Sequence, residues 1–174
     1  DYICITHSHY DHFSPEDILK VKKNDSIIII TEDIYILTLK LGFNENKIVI
    51  VEPDQKYNVN NLLIETVSAY NIGKAFHPKE NCWVGYIFNL ECERIYVAGD
   101  TDVVPENLAI KCDLAFVPVG GTYTMDYAEA AKLVNKIMPT IAVPTHYGKV
   151  VGTKEDAKNF KCLLNKKIEC KIMI

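Results

Sequence analysis

A chain of 174 residues can bury a core of its own, and 48% hydrophobic with 24% charged side chains is ordinary globular composition. A formal net charge of −4 argues against a general nucleic-acid binder, which needs a basic face to neutralise phosphates. The four-residue apolar run Ile27–Ile30 is far too short to span a bilayer.

The elements follow in chain order. Tyr2–Thr6 reads as a strand ending in a polar cluster. Ser14-Pro15-Glu16-Asp17 opens a helix that runs to about Lys22, with a capping hydroxyl, proline at the first helical position and two acids against the dipole. Strand Ile27–Ile30, helix Glu32–Leu41 stopped by Gly42, and strand Ile48–Val51 closed by Pro53 come next. Tyr57, Leu62–Val67, Trp83–Leu90 and Arg94–Ala98 then read as an antiparallel run with short turns. After Gly99-Asp100 the alternation returns: strand Leu114–Val117, helix Asp126–Met138, strand Ile141–Val143, helix Lys154–Leu164, strand Ile168–Ile172. Such a mix without a linker predicts one layered α/β (α+β) domain over residues 1–174.

Six cysteines raise the question of disulfides or a thiolate metal site. None forms a C-x-x-C pair; Cys4, Cys92, Cys112, Cys162 and Cys170 sit in or beside apolar stretches, and Cys82 precedes Trp83. Buried thiols in a reducing cytoplasm are the expectation, and no charged-then-apolar export signal opens the chain.

Chemistry concentrates in His7-Ser8-His9-Tyr10-Asp11-His12, which holds three of the five histidines. A strand-end loop of this kind presents several imidazoles and a carboxylate within a turn of backbone, the donors that suit zinc and also iron or manganese. His7 and His9 can point one way while Asp11 and His12 reach a neighbouring position, a layout for two adjacent cations.

H-x-H-x-D-H resembles the signature of the metallo-β-lactamase superfamily, and two later segments extend the likeness. Val97-Ala98-Gly99-Asp100-Thr101-Asp102 is similar to that family's strand ending in Gly-Asp, and Pro144-Thr145-His146-Tyr147-Gly148 to its final strand-end histidine. The resemblance implies a four-layer αββα sandwich, with N-terminal strands expected upstream of Asp1. It also implies one or two divalent metals, zinc first and manganese or iron as alternatives. His7 and His9 would serve the first metal, Asp11, His12 and His146 the second, and Asp100 would bridge. The implied activity is hydrolysis of a small-molecule carbonyl or phosphoryl ester. A metal-binding module without turnover and a di-iron oxidoreductase are the alternatives. A closer likeness, carried by Pro118–Asp126 and Ala128-Glu129-Ala130-Ala131, is to the ascorbate-6-phosphate-lactonase-like branch. No nucleic-acid partner and no membrane span are expected, and a homo-oligomer is compatible with the sequence.

One position departs from the pattern. The strand end that would carry another histidine for the first metal reads Val67-Ser68-Ala69-Tyr70-Asn71. His77, before Pro78, is the one histidine left: a returning ligand, a substrate contact or a plain turn residue. Asp11, Asp100 and His77 are the expected catalytic groups, and Tyr70, Asn71, His77, Tyr123 and Tyr147 the expected substrate contacts. Asp102 is a candidate to orient a ligand histidine.

Overall fold

The computed structural model describes residues 1–173. Its chain order is β1 (Tyr2–Cys4), α1 (Pro15–Val21), β2 (Ile27–Ile30), α2 (Tyr35–Lys40), β3 (Ile48–Ile50), β4 (Lys56–Val59), β5 (Leu62–Ser68) and β6 (Val84–Leu90). Then come β7 (Glu93–Val97), β8 (Leu114–Pro118), α3 (Tyr127–Ile137), β9 (Ile141–Thr145), α4 (Lys154–Leu163) and β10 (Glu169–Cys170). Strands β1-β2-β3 form a parallel sheet; the second sheet has the order β10-β9-β8-β7-β6-β5-β4. In it β4–β7 is an antiparallel meander and β7 to β10 run parallel.

Alternation along β2 explains the stacking. Ile28 and Ile30 face Phe13, Ile18 and Ile34 on the helix side, while Ile27 and Ile29 face Ile64, Val84 and Tyr86 of the second sheet. A third apolar layer, with Val117, Leu133, Val134 and Phe160, lies between the second sheet and α3 and α4. Three apolar layers between four layers of structure make the αββα sandwich. Among the described residues no helix is long and apolar enough to cross a membrane.

Helix α3 starts as its sequence dictates: Asp126 accepts from Ala128 N and Glu129 N at 2.9 and 2.8 Å, and Glu129 reaches back to Asp126 N at 3.0 Å. The helix expected over Glu32–Leu41 splits into a 3-10 turn, Glu32–Ile34, and α2. Asp33 explains the split. It is held from two sides, by the Thr31 hydroxyl at 2.6 Å and Trp83 Nε1 at 2.9 Å, so the chain is pinned before an α-helix can begin. The last strand shrinks from the expected Ile168–Ile172 to Glu169–Cys170, which pair with Ile141 and Ala142 of β9. Three cysteines depart from the expected burial. Cys82, Cys92 and Cys162 are exposed, the first two on left-handed turn residues and the third on α4.

Candidate metal centre

All the donor-bearing segments follow the carboxyl end of a strand, and those ends meet at one edge of the sandwich. Strand β1 leads to His7–His12, β5 to the loop carrying His77, β7 to Asp100 and β9 to His146. The crossing from sheet to sheet happens at Thr6. Ile5 N still donates to Ile29 O at 2.9 Å, whereas Thr6 O accepts from Val84 N at 3.1 Å. That switch lifts His7 out of the first sheet and sets it over the second.

Two glycines make the approach possible. Gly99 has φ 64°, and a Cβ there would meet Thr6 Cβ and Val84 O at 3.1 Å, so the turn after β7 stays tight. At Gly120 a Cβ would lie 2.1 Å from the His146 carbonyl oxygen, so only glycine lets the end of β8 close on that backbone. His146 itself has φ 54°. A left-handed non-glycine residue costs about 1–2 kcal/mol, and here that conformation aims the imidazole at Asp100.

The donors form two sets that share one residue: His7, His9, His77 and Asp100, and Asp11, His12, Asp100 and His146. Within each set the donor atoms lie within 4.8 Å of one another. Asp100 Oδ2 lies 3.8 Å from His7 Nε2, 3.3 Å from His77 Nε2 and 3.2 Å from His146 Nε2; Oδ1 lies 3.3 Å from His12 Nε2. Donors about 2.0–2.1 Å from one zinc ion sit about 3.4 Å apart at tetrahedral corners, so these separations are those of a coordination shell. The buried nitrogens His7 Nε2 and His77 Nε2 make no hydrogen bond with any described residue. Two buried ring nitrogens without a hydrogen bond, both facing a buried carboxylate, fit a cation held between them. The residues present therefore suit one or two metals, with Asp100 common to both positions.

Electrostatics agree with that use. Burial pushes the His7 imidazole down to about 2, the His12, His77 and His9 charges adding and Asp100 opposing. Burial and then the His77 charge lower His9 as well. Burial alone would raise the Asp100 carboxyl, but the His12, His146 and His77 imidazoles facing it hold it well below the usual range. Neutral imidazoles around an ionised carboxylate are the ligand states a metal requires.

Support differs from one donor to the next. Thr6 Oγ1 lies 2.9 Å from His7 Nδ1, which directs Nε2 to the cluster. Trp83 packs against His7, His9 and His77 with centroids at 5.0, 4.8 and 5.4 Å, forming an apolar bed. Asn71 holds His77 by three contacts: its N–H donates to His77 O at 2.7 Å, its Oδ1 accepts from His77 N at 3.2 Å, and Oδ1 lies 3.0 Å from His77 Nδ1. Its Nδ2 donates to Tyr123 O at 2.9 Å.

A cavity of about 210 Å³ opens over the cluster, lined by Tyr10, Phe76, Tyr123 and Val150 around His9, Asp11, His77, Asp100 and His146. His77 and Tyr123, expected at substrate, line it. The other three are placed elsewhere. Asn71 is buried behind His77, and the Tyr70 hydroxyl donates to Glu106 at 3.0 Å with Lys79 over its ring. Tyr147 is buried against the α3–α4 layer. Among the described residues the Asp102 carboxylate makes no hydrogen bond to a candidate ligand histidine; it instead accepts from Ile72 N at 2.8 Å and Lys74 Nζ at 2.6 Å and so fastens the His77 loop. The roles of Thr6, Trp83 and Asp33 were not expected. Trp83, the sole tryptophan, at the start of an apolar strand, was the one available signal.

Comparison with known proteins points to one family. The family described as Beta-lactamase superfamily domain matches residues 1–146. A UPF0173 protein of Pyrococcus abyssi is 33% identical over 163 residues, 92% of this chain and 72% of that protein. A UPF0173 metal-dependent hydrolase of Thermoplasma acidophilum is 30% identical over 172 residues, 94% of this chain and 72% of that protein. A crystal structure from Parabacteroides distasonis, described as a metal-dependent hydrolase, superposes with a TM-score of 0.83 at 34% identity, covering 98% of this chain and 74% of that one.

Proposed function

This chain belongs to the beta-lactamase superfamily and groups with its UPF0173 metal-dependent hydrolases, and from that premise we propose that it hydrolyses a small carbonyl or phosphoryl ester at a two-cation centre. The observation that carries the reading is the shared carboxylate: Asp100 Oδ2 faces His7, His77 and His146 at 3.8, 3.3 and 3.2 Å. A carboxylate so placed offsets the repulsion between two cations.

His7, His9 and His77 with Asp100 would hold one ion, and Asp11, His12 and His146 with Asp100 the other. Zinc suits the nitrogen-rich sets best, with manganese and iron as alternatives. When bound, such ions lower the pKa of water and stabilise the charge that develops on the substrate oxygen. The protein's part is positional. Trp83 excludes water beneath the first set, Asn71 and Thr6 fix two imidazoles, and Asp11 brings a carboxylate to the cavity where it can accept a proton from attacking water. A lactone, the substrate type of the branch that Pro118–Ala131 resembles, is one ester of this kind.

The test is reconstitution. Protein stripped by a chelator is reloaded with zinc, manganese or iron and assayed on lactones, esters and phosphodiesters, with metal content measured in parallel. Turnover should appear only on reloading and peak near two equivalents. A loaded protein inert on all three substrate classes would sink the proposal.

A further inference from the structure

The cavity over the cluster has two unlike sides. Its floor is polar, made of His9, Asp11, His77, Asp100 and His146, whereas Tyr10, Phe76, Tyr123 and Val150 form its walls. Tyr10 is 73% exposed, Val150 56% and Phe76 46%. Exposed apolar side chains scattered singly are ordinary; three around one polar floor make a concave amphipathic surface of the kind that binds small molecules. The Phe76 ring packs edge-on against the Tyr123 ring, at 89° with centroids 4.6 Å apart. Phe76 is also bonded directly to His77, so the aromatic wall begins one residue from a metal donor. Both parts share a support, since Asn71 holds His77 and donates to Tyr123 O.

Size and charge narrow the occupant. A closed apolar cavity of about 150 Å³ takes benzene. The 210 Å³ here, open on one side, therefore has room for one ring and an attached ester group. Lys74 Nζ is engaged by Asp102 and Thr124 O at 2.6 and 2.8 Å, and Lys79 Nζ by Glu106 at 2.7 Å. Among the described residues no Lys or Arg lines the cavity.

We propose that Phe76, Tyr123, Tyr10 and Val150 form a subsite for one ring-sized apolar group on a neutral carboxylic ester or lactone whose carbonyl lies over the cluster. The proposal rests on the hydrolase reading above and names its substrate class. In the reaction the oxygen of water bonds to the carbonyl carbon and the bond from that carbon to the alcohol oxygen breaks. The alcohol leaves with one proton of the water, and the second is released as the carboxylate forms.

The experiment compares benzyl acetate with methyl acetate, whose alcohols are of similar acidity, on the zinc-loaded chain, with benzyl phosphate as the charged competitor. Calorimetry measures binding of phenylacetate against acetate on the same protein. A ring should raise kcat/KM and tighten binding by about tenfold or more each. Phe76→Ala should bring both ratios towards one with metal content unchanged. Val150→Asp, at an exposed position that cannot threaten the fold, should lower both as well. Ratios near one in the parent chain, ratios unmoved in both variants, or preference for benzyl phosphate would overturn the subsite while ester turnover upheld the hydrolase. Ring-dependent binding without turnover of any ester would do the reverse, supporting the subsite and overturning the hydrolase.

Discussion

The two donor sets share Asp100 yet are built differently. In the first, His7 and His77 are both 1% exposed, each has a ring nitrogen engaged from behind, and Trp83 lies against all three histidines. In the second, the side chains of Asp11 and His12 are 26% and 22% exposed, and His146 sits on left-handed backbone. Rigid, dry support raises affinity by removing the cost of ordering the ligands, while open ligands allow water and substrate to exchange. The contrast assigns retention to the first set and exchange to the second.

Removing the shared residue should erase that contrast. Asp100→Ala is expected to empty or loosen both positions and abolish turnover, a loss exceeding the about 10–100-fold typical of a supporting residue. Circular dichroism should stay unchanged, because the apolar layers do not include Asp100. Parent-like turnover at saturating metal would show that no bridge is needed. His77→Ala should act on one side only: the first set loses its ion, and metal content falls by about one equivalent while the second set keeps its own. Loss of both equivalents in that variant would mean the sets fill as one unit.

How legible was this in the sequence? The strand ends were, because β-branched and apolar runs closed by Gly-Asp or Thr-His carry their own punctuation, and α3 fell within the helix expected over Asp126–Met138. The His7–His12 motif itself offered His7, His9, Asp11 and His12 as candidate donors, and family likeness added Asp100 and His146. What no local pattern reveals is a return path. His77 lies six residues past Asn71 in a loop with no periodicity, and its hydrogen bonds with Asn71, with those of Ile72 and Lys74 to Asp102, bring it back. Trp83 stood out as the sole tryptophan but gave no pointer to the site, since a tryptophan opening a strand is usually core; its place beside three imidazoles goes with the switch at Thr6. Tyr70 and Asn71 were expected to meet substrate because they follow a strand end. Their side chains turn instead to Glu106 and to His77.

Asn71 sharpens the comparison at intermediate effect. With Oδ1 accepting from Nδ1–H, the His77 proton is kept off Nε2, the atom facing Asp100. Asn71→Leu keeps the branched shape but removes the acceptor, so metal affinity at the first set should fall about 10–100-fold. Asn71→Asp, which retains an acceptor, should recover most of it. Chelator competition reads both, and equal affinity in the Leu variant would reduce Asn71 to loop packing.

The smallest effect is a difference in acid sensitivity between the sets. A proton and a cation compete for the same imidazole lone pair, so the histidine with the higher pKa yields its ion first as pH falls. Burial holds His7 down at about 2, so it stays neutral through the whole working range. His146 goes the other way: burial would lower it, but the hydrogen bond and charge of Asp100, with Asp11 adding, raise it above an ordinary histidine. The sign follows directly. Stepping cobalt-loaded protein from about pH 7.5 to about pH 5, on either side of the usual histidine value, should release the second ion while the first remains. The visible cobalt spectrum separates the two environments, and His146→Asn should remove the acid-labile component alone. Simultaneous release of both ions, or earlier loss from the His7 set, would mean that burial and support do not divide the two positions as the geometry says they do.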